Sequence, residues 1–237
     1  MNKIYLNRNI ARLILLQRIE LLGPIQKKVR KLFGRYFFTN FAAKYFMVPS
    51  LIGKKYLNSM EKEYEILSKY LNFDNKTILS IGSGMCGLEL IINQKAQNNF
   101  FHIIEKNYVS EKVTYGWDNN NNEAYNNLSL LNIFLIKNGM KKKTFKVYNF
   151  DLDSLPIAKF DIIVSLFSLD YHYDFNLYLD YLKKILDEET QIIFDTIRPD
   201  YFENIFKNVK ILQDNQNTVH KSKRIICSKL INRLNNI

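Results

Sequence analysis

Cysteine, proline and glycine are scarce in this chain of 237 residues, and each shortage excludes a class of protein. Two cysteines, Cys86 and Cys227, give no disulfide framework and no metal-ligand spacing, so we expect a reducing cytoplasmic location and no bound metal. Four prolines and eight glycines argue against a fibrous or low-complexity chain. There is no uninterrupted apolar run of about 18 residues, which argues against a transmembrane segment. The N-terminus also lacks the pattern of a signal peptide.

Acidic residues are nearly missing from the first 55 residues. This segment holds 12 Lys and Arg and a single acid, Glu20, whereas residues 56–237 hold 22 basic and 22 acidic residues. The net charge of +11 therefore belongs entirely to the N-terminal segment. We predict a basic helical extension over residues 1–55 and a main domain over residues 56–237, with enough apolar residues for one core.

The extension contains two predicted helices, over residues 10–22 and 25–36. The second is amphipathic, with lysines and arginines on the faces away from its apolar residues. Three interpretations stay open: its apolar face packs on the main domain, its basic face binds an anionic substrate or partner, or it lies on an anionic membrane such as the inner membrane. The aromatic segment 37–49 is expected to be buried, either under the domain or over its active site.

A strand, a glycine turn and a helix are predicted in succession over residues 77–90. The apolar run at 77–81 is typical of a buried parallel strand. Gly82, Gly84 and Gly87 follow, and an apolar pattern at helical spacing resumes after them. Glycines allow positive φ and a close approach of the backbone to a ligand, and the helix N-terminus offers free N–H groups. This arrangement indicates the nucleotide-binding corner of a doubly wound sheet.

Three further strands strengthen this interpretation. The second, residues 100–104, ends at Glu105, 18 residues after Gly87. A carboxylate at that position can accept hydrogen bonds from both hydroxyls of a ribose. The third strand, residues 146–150, leads into Asp151 and Leu152, and the fourth, residues 160–165, follows after a short gap. A strand at 191–196 and an antiparallel pair at 209–213 and 224–228 complete the predicted sheet.

These elements resemble the class I S-adenosylmethionine-dependent methyltransferases over about residues 60–229. The resemblance implies a doubly wound, seven-stranded, mostly parallel α/β sheet of the Rossmann-like methyltransferase type, with S-adenosyl-L-methionine as cofactor. The cofactor-binding residues that it implies are Ser80, Gly82, Ser83, Gly84, Glu105, Asp151, Leu152 and Ser165. In this set Glu105 is the ribose acid, and Asp151 is the adenine-side acid beside the N–H of Leu152.

Two residues depart from the family pattern. Many members carry an acid where Ser80 stands, and its loss weakens the polar contacts expected near the amino-acid end of the cofactor. Many also carry a glycine where Cys86 stands. Cysteine is small enough for the turn, and we expect it there with a negative φ.

The segment after the fourth strand is predicted to face the reacting group, because ligands bind beyond the carboxyl ends of such strands. His172 is the predicted catalytic base, since imidazole titrates near neutral pH; a histidine packed between two tyrosines for structural reasons is the alternative. The predicted substrate-binding residues are Trp117, Tyr171, Tyr173 and Arg198. Trp117 lies in the long connection 107–143, where a core anchor is the alternative role.

The Asp-Tyr-His-Tyr run at 170–173 and the polar loop around Trp117 are similar to sugar O-methyltransferases of bacterial polysaccharide pathways. This similarity implies O-methylation of a small acceptor, a sugar or a related molecule, and the basic extension suits an anionic, carrier-linked one. Nucleic acid is not favoured, because an Asn-Pro-Pro-Tyr motif is absent after the fourth strand. Two alternatives stay open: a non-catalytic methyltransferase-like protein that binds RNA or an anionic surface through the extension, and an NAD-dependent oxidoreductase. The oligomeric state is not predicted.

Overall fold

The computed structural model describes residues 4–45, 47–111, 123–215 and 221–231. In these ranges seven strands form one sheet: β1 Thr77–Ile81, β2 Phe100–Glu105, β3 Phe145–Asn149, β4 Ile162–Ser165, β5 Gln191–Thr196, β6 Phe206–Asp214 and β7 Lys223–Leu230. The α-helices are α1 Arg8–Gln17, α2 Pro24–Phe33, α3 Arg35–Tyr45, α4 Pro49–Leu67, α5 Gly87–Lys95, α6 Leu128–Lys137 and α7 Asn176–Ile185. Short 3-10 helices occur at Ile19–Leu21, Lys142–Thr144 and Pro199–Asn204.

The strand order is β3-β2-β1-β4-β5-β7-β6. Strands β1 to β5 pair in parallel, whereas β7 is antiparallel to both β5 and β6. The predicted fold is therefore confirmed: this is the Rossmann-like fold of the class I methyltransferases, preceded by N-terminal helices. Because the chain order reverses between β1 and β4, a crevice forms there beyond the carboxyl ends of the strands.

Helices cover both faces of the sheet. Because consecutive side chains of a strand point to opposite sides, neighbouring residues of one strand enter two different cores. On β1, Ile78 packs in the core beneath α1, α4, α5 and α6, and Leu79 packs in the core beneath α7. Phe101 and Val164 join the first core, and Ile104 joins the second. Apolar residues without alternation are thus what this architecture requires of β1, β2 and β4.

The N-terminal extension takes part in the first of these cores. Ile10, Leu13 and Ile14 of α1 are at most 2% exposed. Helix α4 runs without a break through residue 55, where the sequence places a domain boundary. That division stays a prediction. Nowhere in the described ranges does a helix combine the length and the apolar character needed to cross a membrane.

The expectation that segment 37–49 is buried is wrong for three of its aromatic side chains. Phe37 is 60% exposed, Phe41 48% and Tyr45 60%. They lie on one side of α3, four residues apart, and helical spacing cannot tell whether such a stripe meets the core or solvent.

Candidate functional site

A tight turn joins β1 to α5. Gly82 and Gly84 have φ values of 65° and 63°, in the left-handed region that glycine tolerates. Cys86 also has a positive φ, 54°, and not the negative φ expected from the sequence. The turn is closed by the N–H of Cys86, which donates to the Ser83 carbonyl oxygen at 3.1 Å. Cys86 thus adopts the conformation that a glycine would have at this position.

Neighbouring side chains leave no room for a Cβ on the glycines of this turn. A Cβ on Gly82 would lie 2.0 Å from Ser168 Oγ, and one on Gly84 would lie 2.5 Å from Gln17 Oε1. At Gly87 the nearest atom would be Tyr56 Cζ at 2.5 Å. Since Tyr56 also accepts a hydrogen bond from the Gly87 N–H at 2.9 Å, the start of α5 is anchored to α4.

We expect Gly82→Ala to destabilise the protein more than Gly139→Ala does. Both glycines have positive φ, but a Cβ on Gly139 meets nothing within 4 Å, so the control introduces only backbone strain. In Gly82→Ala, overpacking against Ser168 lowers the free energy of unfolding by roughly 1–3 kcal/mol more. Urea unfolding of the two variants measures the difference. Equal losses would mean that Ser168 does not pack against the turn, and Ser168→Gly should partly rescue Gly82→Ala.

Glu105 stands at the end of β2 directly beside this turn. It is 8% exposed and accepts a hydrogen bond from the Gly84 N–H. Burial raises the pKa of Glu105 to about 7, although that N–H and the Asn126 side chain favour the carboxylate and oppose the shift. A carboxyl group with this pKa changes between its neutral and ionised forms near neutral pH.

A cavity lies beyond the carboxyl ends of β1, β2 and β4, and its volume is about 140 Å³. One water needs roughly 15 Å³, so an organic ligand can enter. Six of the predicted site residues line this cavity: Gly82, Ser83, Gly84, Glu105, His172 and Tyr173. Four further aromatic residues also line it: Tyr125, Phe150, Phe167 and Tyr178.

Two predicted cofactor residues are buried behind the turn and do not line the cavity. The Ser165 hydroxyl donates to the Ile81 carbonyl oxygen at 2.7 Å and accepts the Leu169 N–H at 2.9 Å. It thereby connects the ends of β1 and β4. Ser80 is fully buried within β1. Burial raises the pKa of the neighbouring Glu89, a shift that the Ser80 hydroxyl opposes.

The two adenine-side residues lie just outside the cavity, in the turn after β3. The Asp151 carboxylate forms an ion pair with Lys106 at 3.6 Å. Leu152 is 83% exposed, and its N–H donates to the Asn149 carbonyl oxygen at 3.2 Å. Phe150, the residue before them, does line the cavity. The cofactor-binding roles of Asp151 and Leu152 stay predictions.

Of the remaining substrate-binding predictions, Arg198 and Tyr171 do not line the cavity. Arg198 pairs with Asp170 and, at 2.8 Å, with Asp174, so its guanidinium braces the segment after β4. The Tyr171 ring contacts that of His172 at a centroid distance of 5.1 Å. Trp117 lies outside the described residues.

Among the residues of the cavity that the sequence did not predict, four are polar or charged residues of the extension, the β2 end and the long connection: Gln17, Arg18, Lys106 and Asn126. Gln17 Nε2 donates to the Tyr125 carbonyl oxygen at 2.7 Å, and Gln17 Oε1 accepts the Met85 N–H at 3.1 Å. Asn126 Nδ2 donates to the Gly84 carbonyl oxygen at 2.7 Å. The extension and the end of the long connection therefore hold the glycine turn together. No local sequence signal marks these contacts.

Two cations reach the cavity from different elements. Arg18 follows α1, and its guanidinium lies 5.4 Å from the centre of the Phe167 ring. Lys106 follows β2, and its ammonium lies 5.4 Å from the centre of the Phe150 ring. Each cation lies over the face of an aromatic ring, an arrangement that is itself attractive. Within the protein, Arg18 also pairs with Glu20 at 3.4 Å and Lys106 with Asp151.

A buried ion pair positions Phe167. Asp195 Oδ2 accepts the Phe167 N–H at 3.1 Å and lies 3.1 Å from Arg224 Nη2. Arg224 is fully buried, and it also pairs with Glu63 of α4. The backbone at this corner of the cavity thus depends on charges from α4, β5 and β7.

No protein-family model matches this chain, and no curated protein does. Solved structures that are similar include a precorrin-6y C5,15-methyltransferase from Geobacter metallireducens, with 15% identity, 71% of this chain and 87% of that chain covered, and a TM-score of 0.44. An S-adenosylmethionine-dependent methyltransferase from Mesorhizobium loti has 15% identity, coverages of 62% and 57%, and a TM-score of 0.41.

A third similar structure is described as a ribosomal RNA methyltransferase from Plasmodium falciparum. It has 14% identity, coverages of 73% and 96%, and a TM-score of 0.40. The order and direction of the strands define the methyltransferase-like fold of this chain.

Proposed function

We propose that this chain is an S-adenosylmethionine-dependent methyltransferase that acts on a small-molecule acceptor. One observation carries the proposal: the glycine turn after β1 and the Glu105 carboxylate at the end of β2 line the same cavity, beyond the carboxyl edge of the sheet. In a doubly wound sheet this is the position at which a nucleoside ligand binds.

The residues present fit the cofactor. Gly82 and Gly84 both line the cavity, so their backbone atoms face the ligand. The Glu105 carboxylate is an acceptor for the ribose hydroxyls, and Phe150 is an apolar wall for the adenine. Arg18 is a cation for the carboxylate of the cofactor's amino-acid end, and Ser83 adds a hydroxyl there.

S-adenosylmethionine supplies, when bound, a methyl group made electrophilic by a sulfonium. What the protein must add is mainly position, holding the acceptor in line with that methyl group and keeping water out. An oxygen nucleophile also has to lose its proton. His172 lines the cavity and carries an imidazole that can take this proton at its unprotonated ring nitrogen.

The acceptor that the site suits is a sugar or a related polar molecule. Tyr173 and Phe167 offer apolar ring faces, as carbohydrate-binding sites commonly do. Lys106, the second cation of the cavity, favours an acceptor with a negative group, such as a phosphate-linked sugar. We therefore propose O-methylation of such an acceptor.

Replacing His172 should separate chemistry from cofactor binding. We expect His172→Ala to lower turnover by roughly 100-fold or more, which is the usual contribution of a general base. The Kd for S-adenosylhomocysteine should stay within about twofold of the wild-type value. Turnover is measured as release of S-adenosylhomocysteine with a panel of nucleotide-linked and lipid-phosphate-linked sugars. Unchanged turnover on an accepted sugar would leave His172 a purely structural role.

Calorimetric titration with S-adenosylhomocysteine, with NAD as the comparison, tests the proposed cofactor. Micromolar binding of S-adenosylhomocysteine alone is the expected result. Binding of NAD alone would instead support an oxidoreductase. If neither ligand bound, the proposal would be rejected in favour of a non-catalytic protein.

A further inference from the structure

The N-terminal helices present a continuous apolar stripe to solvent. We define the α2–α3 surface by six side chains that are between 48% and 79% exposed: Ile25, Leu32, Phe33, Phe37, Phe41 and Tyr45. From Phe33 to Tyr45 the rings form a ladder, with successive centroids 6.4, 6.1 and 5.3 Å apart. The exposed apolar area is on the order of several hundred Å², a size that in soluble proteins marks an interaction site.

Helix α2 exposes apolar side chains to solvent, whereas a helix packed on a core buries them. Among its residues none is buried, and Ile25 and Leu32 are 78% and 79% exposed. Its basic residues Lys27 and Arg30 are the more sheltered ones. The apolar face therefore points away from the protein. Exposing it to water is unfavourable, and covering it would release that free energy.

The charge around this stripe has one sign. Eight lysines and arginines lie between residues 24 and 55, and no acid occurs between residues 21 and 60. Lys28 and Lys31 are exposed beside the apolar residues of α2. A partner that covers the stripe therefore has to combine an apolar layer with negative charge.

We propose that the α2–α3 surface docks on an anionic lipid bilayer. Amphipathic helices with basic flanks insert their apolar face to the depth of the headgroup–acyl boundary, while lysines and arginines meet the anionic headgroups. A second copy of this chain would bring two basic surfaces together, and their repulsion opposes it. RNA would engage the cations but would leave Ile25 and Leu32 without a role. Of these three occupants, the bilayer alone uses both the apolar stripe and the positive charge.

The proposed docking surface adjoins the cavity along the chain. Arg18 lines the cavity, and α2 begins six residues later at Pro24. A bilayer under α2 and α3 would bring the protein to acceptors held in the membrane by a lipid. The docking itself is independent of the proposed methyl transfer, because it needs neither the cofactor nor the acceptor.

Co-sedimentation of the full chain with vesicles tests the proposal. Vesicles of phosphatidylcholine with 30 mol% phosphatidylglycerol are compared with vesicles of phosphatidylcholine alone, without cofactor. We expect binding to the anionic vesicles to be at least about tenfold tighter, since each basic residue near the surface adds about a fivefold factor. Phe37→Ser/Phe41→Ser should lower that binding by about tenfold or more. Lys28→Gln/Lys31→Gln should lower it by a similar factor.

The matched control is Ile157→Ser/Leu177→Ser, which removes two apolar side chains that are 65% and 57% exposed elsewhere. It should bind vesicles like the wild type. All variants should bind S-adenosylhomocysteine like the wild type, so a failure of the docking proposal is distinguishable from a failure of the proposed function.

Equal vesicle binding by the Phe37/Phe41 variant and the wild type would overturn docking through the stripe. If the wild type did not bind vesicles but formed a dimer in sedimentation velocity, and the Phe37/Phe41 variant did not, the surface would belong to a second copy. If the wild type retained RNA and did not bind vesicles, the surface would belong to nucleic acid.

Discussion

Glu105→Ala is expected to weaken the binding of S-adenosylhomocysteine by roughly 100-fold or more. The carboxylate is expected to accept two ribose hydroxyls, and a hydrogen bond to a charged group contributes about 1.5–3 kcal/mol, where 1.4 kcal/mol is a factor of ten. The variant also removes the acceptor of the Gly84 N–H, so the glycine turn loses a contact. Calorimetry measures the effect.

The control for this variant is Asp180→Asn, because the Asp180 side chain is 93% exposed on α7. It should bind S-adenosylhomocysteine with wild-type affinity. Normal binding by Glu105→Ala would contradict the assignment of Glu105 as the ribose acid, whatever the cofactor proves to be.

The pH dependence of binding provides a second readout of the same carboxyl group. With the pKa of Glu105 raised to about 7, most of the unliganded protein carries the neutral acid at pH 6 and the carboxylate at pH 8. Because the carboxylate is the better acceptor, affinity should rise about tenfold between these values. Glu105→Gln keeps an oxygen acceptor for the Gly84 N–H but cannot ionise, so its affinity should be lower and independent of pH over this range.

The same pKa has the opposite consequence for stability. A carboxyl group whose pKa is higher in the folded than in the unfolded protein is penalised where it must ionise, so stability falls as pH rises from about 4.5 to about 7. Glu105→Gln should therefore unfold at higher urea concentration than the wild type at pH 8, by an amount on the order of 1–3 kcal/mol, while binding less well. At pH 4 this advantage should vanish. Lower stability of the variant at pH 8 would contradict the raised pKa.

Arg224→Met is expected to lower the free energy of unfolding by about 3–5 kcal/mol, the usual loss when one partner of a buried ion pair is removed. Arg224 and Asp195 are both fully buried, and Nε and Nη2 of Arg224 reach the two carboxylate oxygens at 3.2 and 3.1 Å. Without the guanidinium, the Asp195 carboxylate stays buried but no longer has the cation that offsets the cost of removing it from water. Phe167, which Asp195 holds at the cavity, should then be less well positioned.

Urea unfolding at two pH values tests this explanation. Burial already raises the pKa of Asp195 while Arg224 opposes the shift, so the pKa should rise further in Arg224→Met. The ionised Asp195 destabilises the folded protein most at high pH, and this effect decreases as pH falls because the carboxylate takes up a proton. The loss of stability in Arg224→Met should therefore shrink between pH 8 and pH 5. Lys207→Met removes an exposed cation of β6 and should have little effect at either pH. A deficit as small as that of Lys207→Met would mean that the Arg224–Asp195 pair is not buried in solution.

The centre of the fold could be predicted because its signals are local. A buried parallel strand needs a short apolar run, and the turn that follows needs glycine where φ is positive. Both requirements appear within residues 77–87, and the ends of β2, β3 and β4 are marked in the same way. Glu105 could be located because its position depends only on where β2 ends. These features led to the confirmed fold and to six residues of the cavity.

The rest of the site depends on contacts between distant parts of the chain. Gln17 and Met85 are 68 residues apart, and Arg224 and Glu63 are 161 apart. From the sequence alone, a glutamine or an arginine on a helix or strand is expected to face solvent until its partner is known. The exposed stripe of α3 shows the converse, because periodicity identifies an apolar face but does not say what covers it.

The sequence by itself therefore determined the sheet, the glycine turn and the acid beside it, since short stretches of chain dictate those conformations through sterics and alternating burial. Only the tertiary structure decided that the basic extension contributes Gln17 and Arg18 to the cavity, that Arg224 is a core residue and that α2 and α3 turn their apolar side outward. The physical reason is that packing, desolvation and charge pairing are properties of neighbours in space, and these neighbours are far apart in the chain.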